Sequence, residues 1–274
     1  MNSCCLAAGA TLLLIAALAI DGKASQDSTT HRGWPEYSYK NPDTDVYKLT
    51  LKSAITPITL VAAPSVGVLT GWTDKLNEEA NKAAKGSGHT TVDNYLQLAP
   101  AAASLGLDVF RIYGKHNVVE KSIILATAYI IESTVTTTMK HTFREMRPDG
   151  SARNSFPSGH TATAFVGAEF LRKEYWEVSP WYGVGGYAVA TLVGYLRMYN
   201  NRHWLADVVA GAGVGIFSTQ CAYALYPVIR KIIFVKHTDA STSLMLLPYI
   251  YSKYIYGSSI RDVNQVGFAL TMQF

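Results

Sequence analysis

Apolar and polar positions divide the middle of the chain into blocks of helical length. Apolar, helix-compatible stretches lie at 54–71, 92–111, 121–140, 160–173, 181–197 and 204–226. This pattern predicts a helical protein whose helices mainly pack on each other. A polar connector at 73–90 separates the first two stretches, and its charged residues predict a short surface helix before the Gly86-Ser87-Gly88 break.

The C-terminal tail has a different pattern. From Val266 to Phe274 apolar residues alternate with small or polar ones, which is typical of a β-strand. Together with Leu244–Tyr256 this segment predicts a short β-hairpin after the helical domain. One hairpin cannot close a barrel, so we expect the tail to pack on the helical domain or on a membrane surface.

The N-terminus predicts export. An apolar run from Leu6 to Ile20 precedes the small residues of Gly22-Lys23-Ala24, which indicates a signal peptide over 1–24. The run lacks a preceding Lys or Arg, so an uncleaved N-terminal anchor is the alternative. The predicted organisation then continues with a polar extended arm at 25–52, a helical domain at 53–236 and the strand-like tail at 237–274.

Export restricts the membrane topology. An exported arm and an external site after three complete spans are incompatible, so either the site is cytoplasmic or some helices do not cross a bilayer. The stretch at 92–111 contains Asp93, Asn94, Gln97, Pro100 and Asp108, which favours the second option. We therefore expect an envelope protein that rests on a membrane or lies partly in it.

Composition changes this picture little. The chain has 274 residues, of which 49% are hydrophobic and 16% charged, and its mean hydropathy of +0.09 is low for a protein that is mostly membrane. The net charge of +4 suits acidic lipids or phosphorylated substrates, and it is equally ordinary for a protein surface. Without residues 1–24 the chain retains only Cys221, so no intramolecular disulfide is expected.

Two segments supply groups that bind anions. Lys140 and Arg147 are seven residues apart, so we predict that both project from one helix face before Pro148 ends the helix. Ser158 is placed to cap the next helix, and Gly159 allows a ligand to approach the amides that begin it. His160 follows in the first turn. Each feature alone is more typical of a solvated or capped helix end.

A third segment runs from Arg197 to Asp207. His203 and Asp207 have the i,i+4 spacing that places them on one helix face, and a carboxylate there would fix the imidazole tautomer and leave the other nitrogen free to attack. Metal ligation or a surface pair fits this spacing equally well, although that helix has no second histidine at metal-ligand spacing. Antiparallel helices would bring all three segments to one end of a bundle.

Together the segments resemble the signature of the type 2 phosphatidic acid phosphatase (PAP2) superfamily, which includes bacterial class A acid phosphatases, glucose-6-phosphatase and vanadium haloperoxidases. That signature is Lys-x6-Arg-Pro, then Pro-Ser-Gly-His, then Ser-Arg-x5-His-x3-Asp. Leu196 stands where the family usually has serine. The resemblance covers about residues 90–226 and implies an all-α PAP2-type helical bundle with the active site at one end.

The resemblance also implies roles for the matching residues. His203 would attack phosphorus to form a phosphohistidine, and Asp207 would orient the His203 side chain. His160 would protonate the leaving alkoxide. The phosphate oxygens are held by Lys140, Arg147, Ser158, Gly159 and Arg197. No metal or other cofactor is implied, and we expect no nucleic-acid partner.

The substrate expected from this resemblance is a phosphorylated envelope lipid, with lipid A preferred, on the periplasmic side of a Gram-negative inner membrane. Undecaprenyl diphosphate and phosphatidylglycerol phosphate are alternative lipid substrates. A soluble periplasmic acid phosphatase and a vanadium-dependent haloperoxidase are alternative functions. The intact His160, His203 and Asp207 argue against a purely structural or binding protein.

Overall fold

Helices make up about three quarters of the chain between Leu51 and Ile233. The computed structural model describes residues 49–86, 88–233, 244–250 and 266–272. Its helices in chain order are α1 (Leu51–Thr70), α2 (Asp74–Ala84), α3 (Val92–Leu96), α4 (Ala99–Gly106), α5 (Val118–Phe143), α6 (Gly159–Tyr175), α7 (Pro180–Tyr199) and α8 (Leu205–Ile233). The helical bundle predicted from the sequence is confirmed. The predicted signal peptide and most of the predicted arm lie outside the described residues.

Helix α1 begins earlier than predicted, inside the segment assigned to the arm. Thr50 and Ser53 form a capping box in which each side chain accepts a hydrogen bond from the other residue's backbone amide, and this satisfies amides that the first turn leaves without partners. The helix ends where Gly71 adopts a left-handed conformation with φ of 73°, which glycine reaches without steric cost.

The apolar stretch at 92–111, which was predicted to be helix-compatible but interrupted, forms two short helices, α3 and α4. A turn at Gln97 and Leu98 separates α3 from α4. Pro100 lies in the first turn of α4, a position that needs no amide donor and that suits its fixed φ. Asp93 is 1% exposed, because α3 directs it into the protein rather than to solvent or lipid.

Helix α5 also ends earlier than the sequence suggested. Asn117 and Glu120 form a capping box at its start, and Arg144 ends it in a left-handed conformation with φ of 48°. Arg147 therefore lies in the following loop, and the prediction that it shares a helix face with Lys140 is wrong. The termination occurs before Pro148, so the proline does not set it.

Helix α6 is the centre of the bundle. Phe165, Val166 and Phe170 are fully buried on it, and they belong to the clusters that connect it with the neighbouring helices. Helix α8 approaches α6 closely at two glycines. A Cβ on Gly211 would lie 2.5 Å from the carbonyl oxygen of Ser158, and one on Gly215 would collide with the carbonyl of Ala162. This contact holds the beginning of α6 against α8.

The chain divides between Ile229 and Arg230 into two compact units. In the second unit β1 (Leu244–Ile250) and β2 (Val266–Met272) pair antiparallel, with Leu244 opposite Met272 and Ile250 opposite Val266. The predicted C-terminal hairpin agrees with this pairing, and what the tail packs on stays a prediction.

Two of the described helices are long and apolar enough to cross a bilayer, judged by length and composition. They differ in burial: most of α8 is covered by the protein, whereas α1 is largely exposed. The core helix of a soluble protein can be equally long and apolar, so packing within the bundle explains the apolar character of α8. The exposed apolar surface of α1 has no such explanation.

Candidate active site

The loops before α6 and before α8 meet at one end of the bundle. The backbone amide of Ser158, at the start of α6, donates to the carbonyl oxygen of Asp207 in the first turn of α8 over 3.0 Å. Phe156, which is joined to Pro157 by a cis peptide bond, is fully buried and packs on Phe143 at the end of α5. The ends of α5, α6 and α8 are therefore fixed to one another around a shared centre.

His203 and Asp207 form the centre of this site. The Nδ1 atom of His203 lies 3.2 Å from Oδ2 of Asp207, and the two residues are 2% and 0% exposed. The predicted pairing is present. It is buried, unlike an ordinary surface ion pair, which is exposed to solvent and contributes little to protein stability. Contact through Nδ1 leaves Nε2 as the nitrogen available for chemistry.

Two further donors hold the Asp207 carboxylate. The Ser155 hydroxyl donates a short hydrogen bond to Oδ2, and the backbone amide of Trp204 donates to the same oxygen over 2.8 Å. Ser155 Oγ also lies 3.5 Å from His203 Nδ1. Sequence reasoning missed Ser155, whose only signal was its position beside the Phe156-Pro157-Ser158 segment.

Lys140 contacts the loop before α6. Its Nζ donates to the carbonyl oxygens of Asn154 and Pro157, each over 2.7 Å. Burial lowers the pKa of Lys140 to about 8, Asp207 opposes the shift, and Arg147 and Arg197 add to it. The ammonium group therefore braces the loop and also contributes positive charge to the centre.

Arg197 is the most buried of the predicted phosphate-binding cations, with 8% of its surface exposed. One end of its guanidinium, Nη1, donates a short hydrogen bond to Asp93. Its Nε is buried and has no hydrogen-bond partner among the described residues. Buried donors are normally paired, so this N–H is available for an anion.

Arg147 reaches the same centre from the loop after α5. Its Nε donates to Oδ1 of Asn154 over 2.9 Å. Burial is the largest cause that lowers the pKa of Arg147, and the neighbouring positive charges of Arg197 and Arg202 lower it further. The mutual repulsion of cations at this site means that a bound anion would relieve electrostatic strain.

The first turn of α6 faces the same space. Ser158 occupies the N-cap position as predicted, but its side chain makes no capping bond and contacts the Thr161 hydroxyl over 2.9 Å. A Cβ on Gly159 would meet only Thr136, at an ordinary 3.8 Å, so protein packing does not require glycine there. The uncapped amides and the space beside Gly159 suit an anion.

His160 lies at the more open side of the site. Its Nε2 is 2.8 Å from Oδ1 of Asn94. Burial lowers the pKa of His160 to about 4, and the positive charge of Arg197 adds to this shift. The negative charge of Asp93 opposes it. Burial likewise lowers the pKa of His203, against the support of Asp207. Both imidazoles are therefore neutral at pH 7 before an anion binds.

Asp93 and Asn94 are site residues that sequence reasoning placed among the interruptions of an apolar stretch. Asn200 joins them: it is 6% exposed and donates from Nδ2 to the carbonyl oxygen of Thr90 over 2.8 Å. It also contacts Asp93, so it ties α3 to the end of α7. No sequence motif marks these long-range contacts.

Three other polar residues near the ends of α5 and α7 have partners within the protein. Arg144 Nε contacts the carbonyl of His141, Asn201 contacts Asn81, and Arg202 pairs with Asp149 over 3.0 Å. The first contact is local, and the other two join segments that are distant in sequence. Within the described residues, no group of three His, Cys, Asp or Glu side chains is placed to hold a metal.

Comparisons with known proteins agree with these motifs. Residues 121–231 match the family model described as the PAP2 superfamily. A lipid A 1-phosphatase of Porphyromonas gingivalis is 40% identical over 173 residues, which are 63% of this chain and 38% of that protein. This chain therefore spans well under half of that relative's length.

Two solved structures are similar to parts of the chain. LpxE of Aquifex aeolicus has 25% sequence identity and a TM-score of 0.42, covering 54% of this chain and 94% of that one. A transmembrane PAP2 type phosphatidylglycerolphosphate phosphatase from Bacillus subtilis has 20% identity and a TM-score of 0.46, covering 68% and 99%. With the three motifs in place, residues 121–231 of this chain form a PAP2 superfamily domain.

Proposed function

We propose that this chain is a phosphatase that removes phosphate from an envelope lipid through a phosphohistidine intermediate. The observation that carries the proposal is the buried pair of His203 and Asp207 among three cations. A buried carboxylate at Nδ1 leaves Nε2 unprotonated and stabilises the positive charge that forms when this nitrogen bonds to phosphorus.

The proposed reaction has two steps. In the first, His203 Nε2 forms a bond to phosphorus while the bond from phosphorus to the lipid oxygen breaks, and His160 gives that oxygen a proton. In the second, water attacks the phosphohistidine after losing a proton to His160, and phosphate leaves His203. His160 is suited to both steps because a bound phosphate would raise its pKa from the low value that Arg197 and burial impose.

Charge stabilisation is assigned to the groups around Nε2. Arg197 presents an unpaired buried N–H, Arg147 adds a guanidinium, and Gly159 contributes the amide that begins α6. The Ser158 amide already donates to the carbonyl oxygen of Asp207, so Ser158 would contact the phosphate through its side chain. Lys140 adds charge through the loop that it braces. Preorganised donors of this kind act where negative charge accumulates in the transition state, so the chain's own cations would replace a metal ion.

A phosphorylated lipid is the favoured substrate, and lipid A is the favoured lipid. The identity to the P. gingivalis lipid A 1-phosphatase supports this choice. Ile55, Leu69 and Trp72 on and beside α1 are each at least 60% exposed, and apolar surface of this kind suits contact with lipid. Undecaprenyl diphosphate and phosphatidylglycerol phosphate remain the competing lipids.

The proposed location is the periplasmic side of the inner membrane. It rests on the signal-like segment at 1–24 and the arm at 25–52, which precede a phosphatase domain at 53–236 and the tail at 237–274. Detergent-free fractionation tests the placement. Recovery of the protein with membranes is expected, whereas recovery in the soluble periplasmic fraction would favour a soluble acid phosphatase.

Phosphate release from a panel of esters tests the activity and the substrate class. Lipid A, undecaprenyl diphosphate, phosphatidylglycerol phosphate and a small soluble ester are supplied in the presence of EDTA, and His203→Ala serves as the inactive control. Release from a lipid monoester is expected with the chelator present. Activity on the soluble ester alone, or halide oxidation with added vanadate, would overturn the assignment in favour of the acid phosphatase or the haloperoxidase.

A further inference from the structure

Asp207 has a second carboxyl group beside it. Its Oδ2 accepts the hydrogen bonds from Ser155 and Trp204, but its Oδ1 is buried with no N–H or O–H donor among the described residues. One oxygen of Glu145, Oε2, is buried and without such a donor as well. Ser155 places the two residues side by side, because its backbone amide donates to the carbonyl oxygen of Glu145 and its hydroxyl donates to Asp207, and the charge of Asp207 acts on the Glu145 carboxyl group.

Two ionised carboxylates cannot form a hydrogen bond, because both groups only accept. Placed together out of water they also repel each other, and sharing one proton removes the repulsion and supplies the missing donor. A neutral glutamic acid beside an ionised aspartate therefore accounts for both buried oxygens at once.

The surroundings decide which of the two groups holds the proton. Asp207 is stabilised in its ionised form by the donors from Ser155 and Trp204, and it interacts favourably with Lys140 and Arg147. The charged groups that act on Glu145 are Asp207 and Asp74, both negative. The proton therefore belongs on Glu145.

We propose that Glu145 is a positioning residue that stays protonated at neutral pH and donates a hydrogen bond to Asp207, which in turn orients His203. This role rests on the proposed phosphatase function. No proton leaves Glu145 during the reaction. It holds the second oxygen of Asp207 so that the carboxylate remains ionised and correctly oriented when His203 becomes cationic.

The loop that carries Glu145 is fixed on both sides. The carbonyl oxygen of Glu145 accepts from the backbone amide of Ser155 over 3.0 Å, and that of Met146 accepts from the indole of Trp204 over 2.8 Å. Ser155 and Trp204 are the residues that also bind Asp207. Burial, followed by the charge of Asp207, raises the pKa of Glu145 to about 9, in agreement with this arrangement.

Infrared spectroscopy tests where the proton lies. At pH 8 the protein should show the C=O stretch of a buried protonated carboxyl, and Glu145→Gln should remove it. Glu132→Gln is the matched control, since burial raises the pKa of this other buried glutamate only to about 7, and it should leave the band in place. Absence of the band, or its survival in Glu145→Gln, would overturn the proposal without any measurement of activity.

Kinetics test what the proton does. Glu145→Gln keeps an amide donor toward Asp207, so kcat should stay within about threefold of the parent, whereas Glu145→Leu removes the donor and should lower kcat by about tenfold to a hundredfold. In the parent, kcat should fall as pH rises through about 9, since ionised Glu145 repels Asp207, and Glu145→Gln should lack this fall. Equal kcat values in the two variants with an unchanged pH profile would reject the positioning role.

The exposed Glu79→Gln is the control for the substitution itself and should match the parent at every pH. If the parent hydrolyses no phosphate ester, the proposed function fails and the positioning role fails with it. The infrared result would then still establish the protonation of Glu145. If the parent is active and the two variants do not differ, the positioning role alone is wrong.

Discussion

Arg197 at the end of α7 donates a hydrogen bond to Asp93 on the five-residue helix α3, across 104 positions of sequence. The pair is buried, with side chains 10% and 1% exposed. Asp93 accepts a hydrogen bond from Nη1 at one end of the guanidinium. The Nε–H group takes no part in this pair and stays without a partner among the described residues. The orientation of the central cation depends on a residue outside all three motifs.

Asp93→Ala should therefore destabilise the protein. It leaves a buried arginine without its counterion, and removal of one partner from such a pair costs about 3–5 kcal/mol of unfolding free energy. Chemical denaturation of the purified protein measures this loss. Glu78→Ala is the control, because its pair with Lys82 is exposed and should contribute below about 1 kcal/mol. Similar losses of unfolding free energy in both variants would show that the buried pair of Asp93 and Arg197 stabilises the protein no more than the exposed pair does.

The two histidines should respond differently to alanine substitution. His203→Ala removes the proposed nucleophile and should abolish turnover of every ester. His160→Ala removes the proposed general acid, so the rate should fall roughly a hundredfold to ten-thousandfold on alkyl esters. The loss should be smaller on nitrophenyl esters, whose leaving group needs no proton. Steady-state rates on both ester types measure the difference. An equal loss on the two types would mean that His160 does not protonate the leaving group.

Asn94→Asp should raise the pKa of His160 above its value of about 4. The substitution places a negative charge where Asn94 now lies 2.8 Å from Nε2, and an adjacent anion stabilises imidazolium. His160 would then stay protonated to a higher pH, which a histidine NMR titration of the free protein records. Asn94→Ala removes the contact without adding charge and should leave the pKa low. An unchanged titration in Asn94→Asp would contradict the contact.

Inhibition by inorganic phosphate should weaken as pH rises through about 8, where Lys140 loses its charge. A cation is present below its pKa, and phosphate is already a dianion in this range, so the change reports the protein. Lys140→Met should weaken inhibition at all pH values and remove the step. The exposed Lys75→Met should keep it. Persistence of the step in Lys140→Met would assign the titration to another group.

Local sequence spacing predicted the elements around the site well. His203 and Asp207 do pair as predicted, although His203 lies just before α8 and only Asp207 lies within it, so they do not share a helix face. The segment before His160 does begin a helix. The same reasoning failed for Lys140 and Arg147. Their spacing suits two helical turns, but α5 ends at Phe143 where Arg144 turns left-handed, and single-residue termination of this kind has no periodic signal.

The missed residues share a physical cause. Asp93, Asn94 and Asn200 act through contacts that join α3 to distant helices. Hydropathy alone made Asp93 and Asn94 look like interruptions of an apolar stretch. Glu145 was likewise hidden between the two basic residues of the first motif. Partners far apart in sequence become visible only when the chain is folded.

The position of α3 has a consequence for how relatives diverge. Asp93 and Asn94 lie before residue 121, where the match to the family begins, yet they touch the cation and the imidazole that face the ligand. Changes in this short helix would alter the entrance without altering any signature residue. A fragment starting at residue 121 would keep the signature while losing the counterion of Arg197.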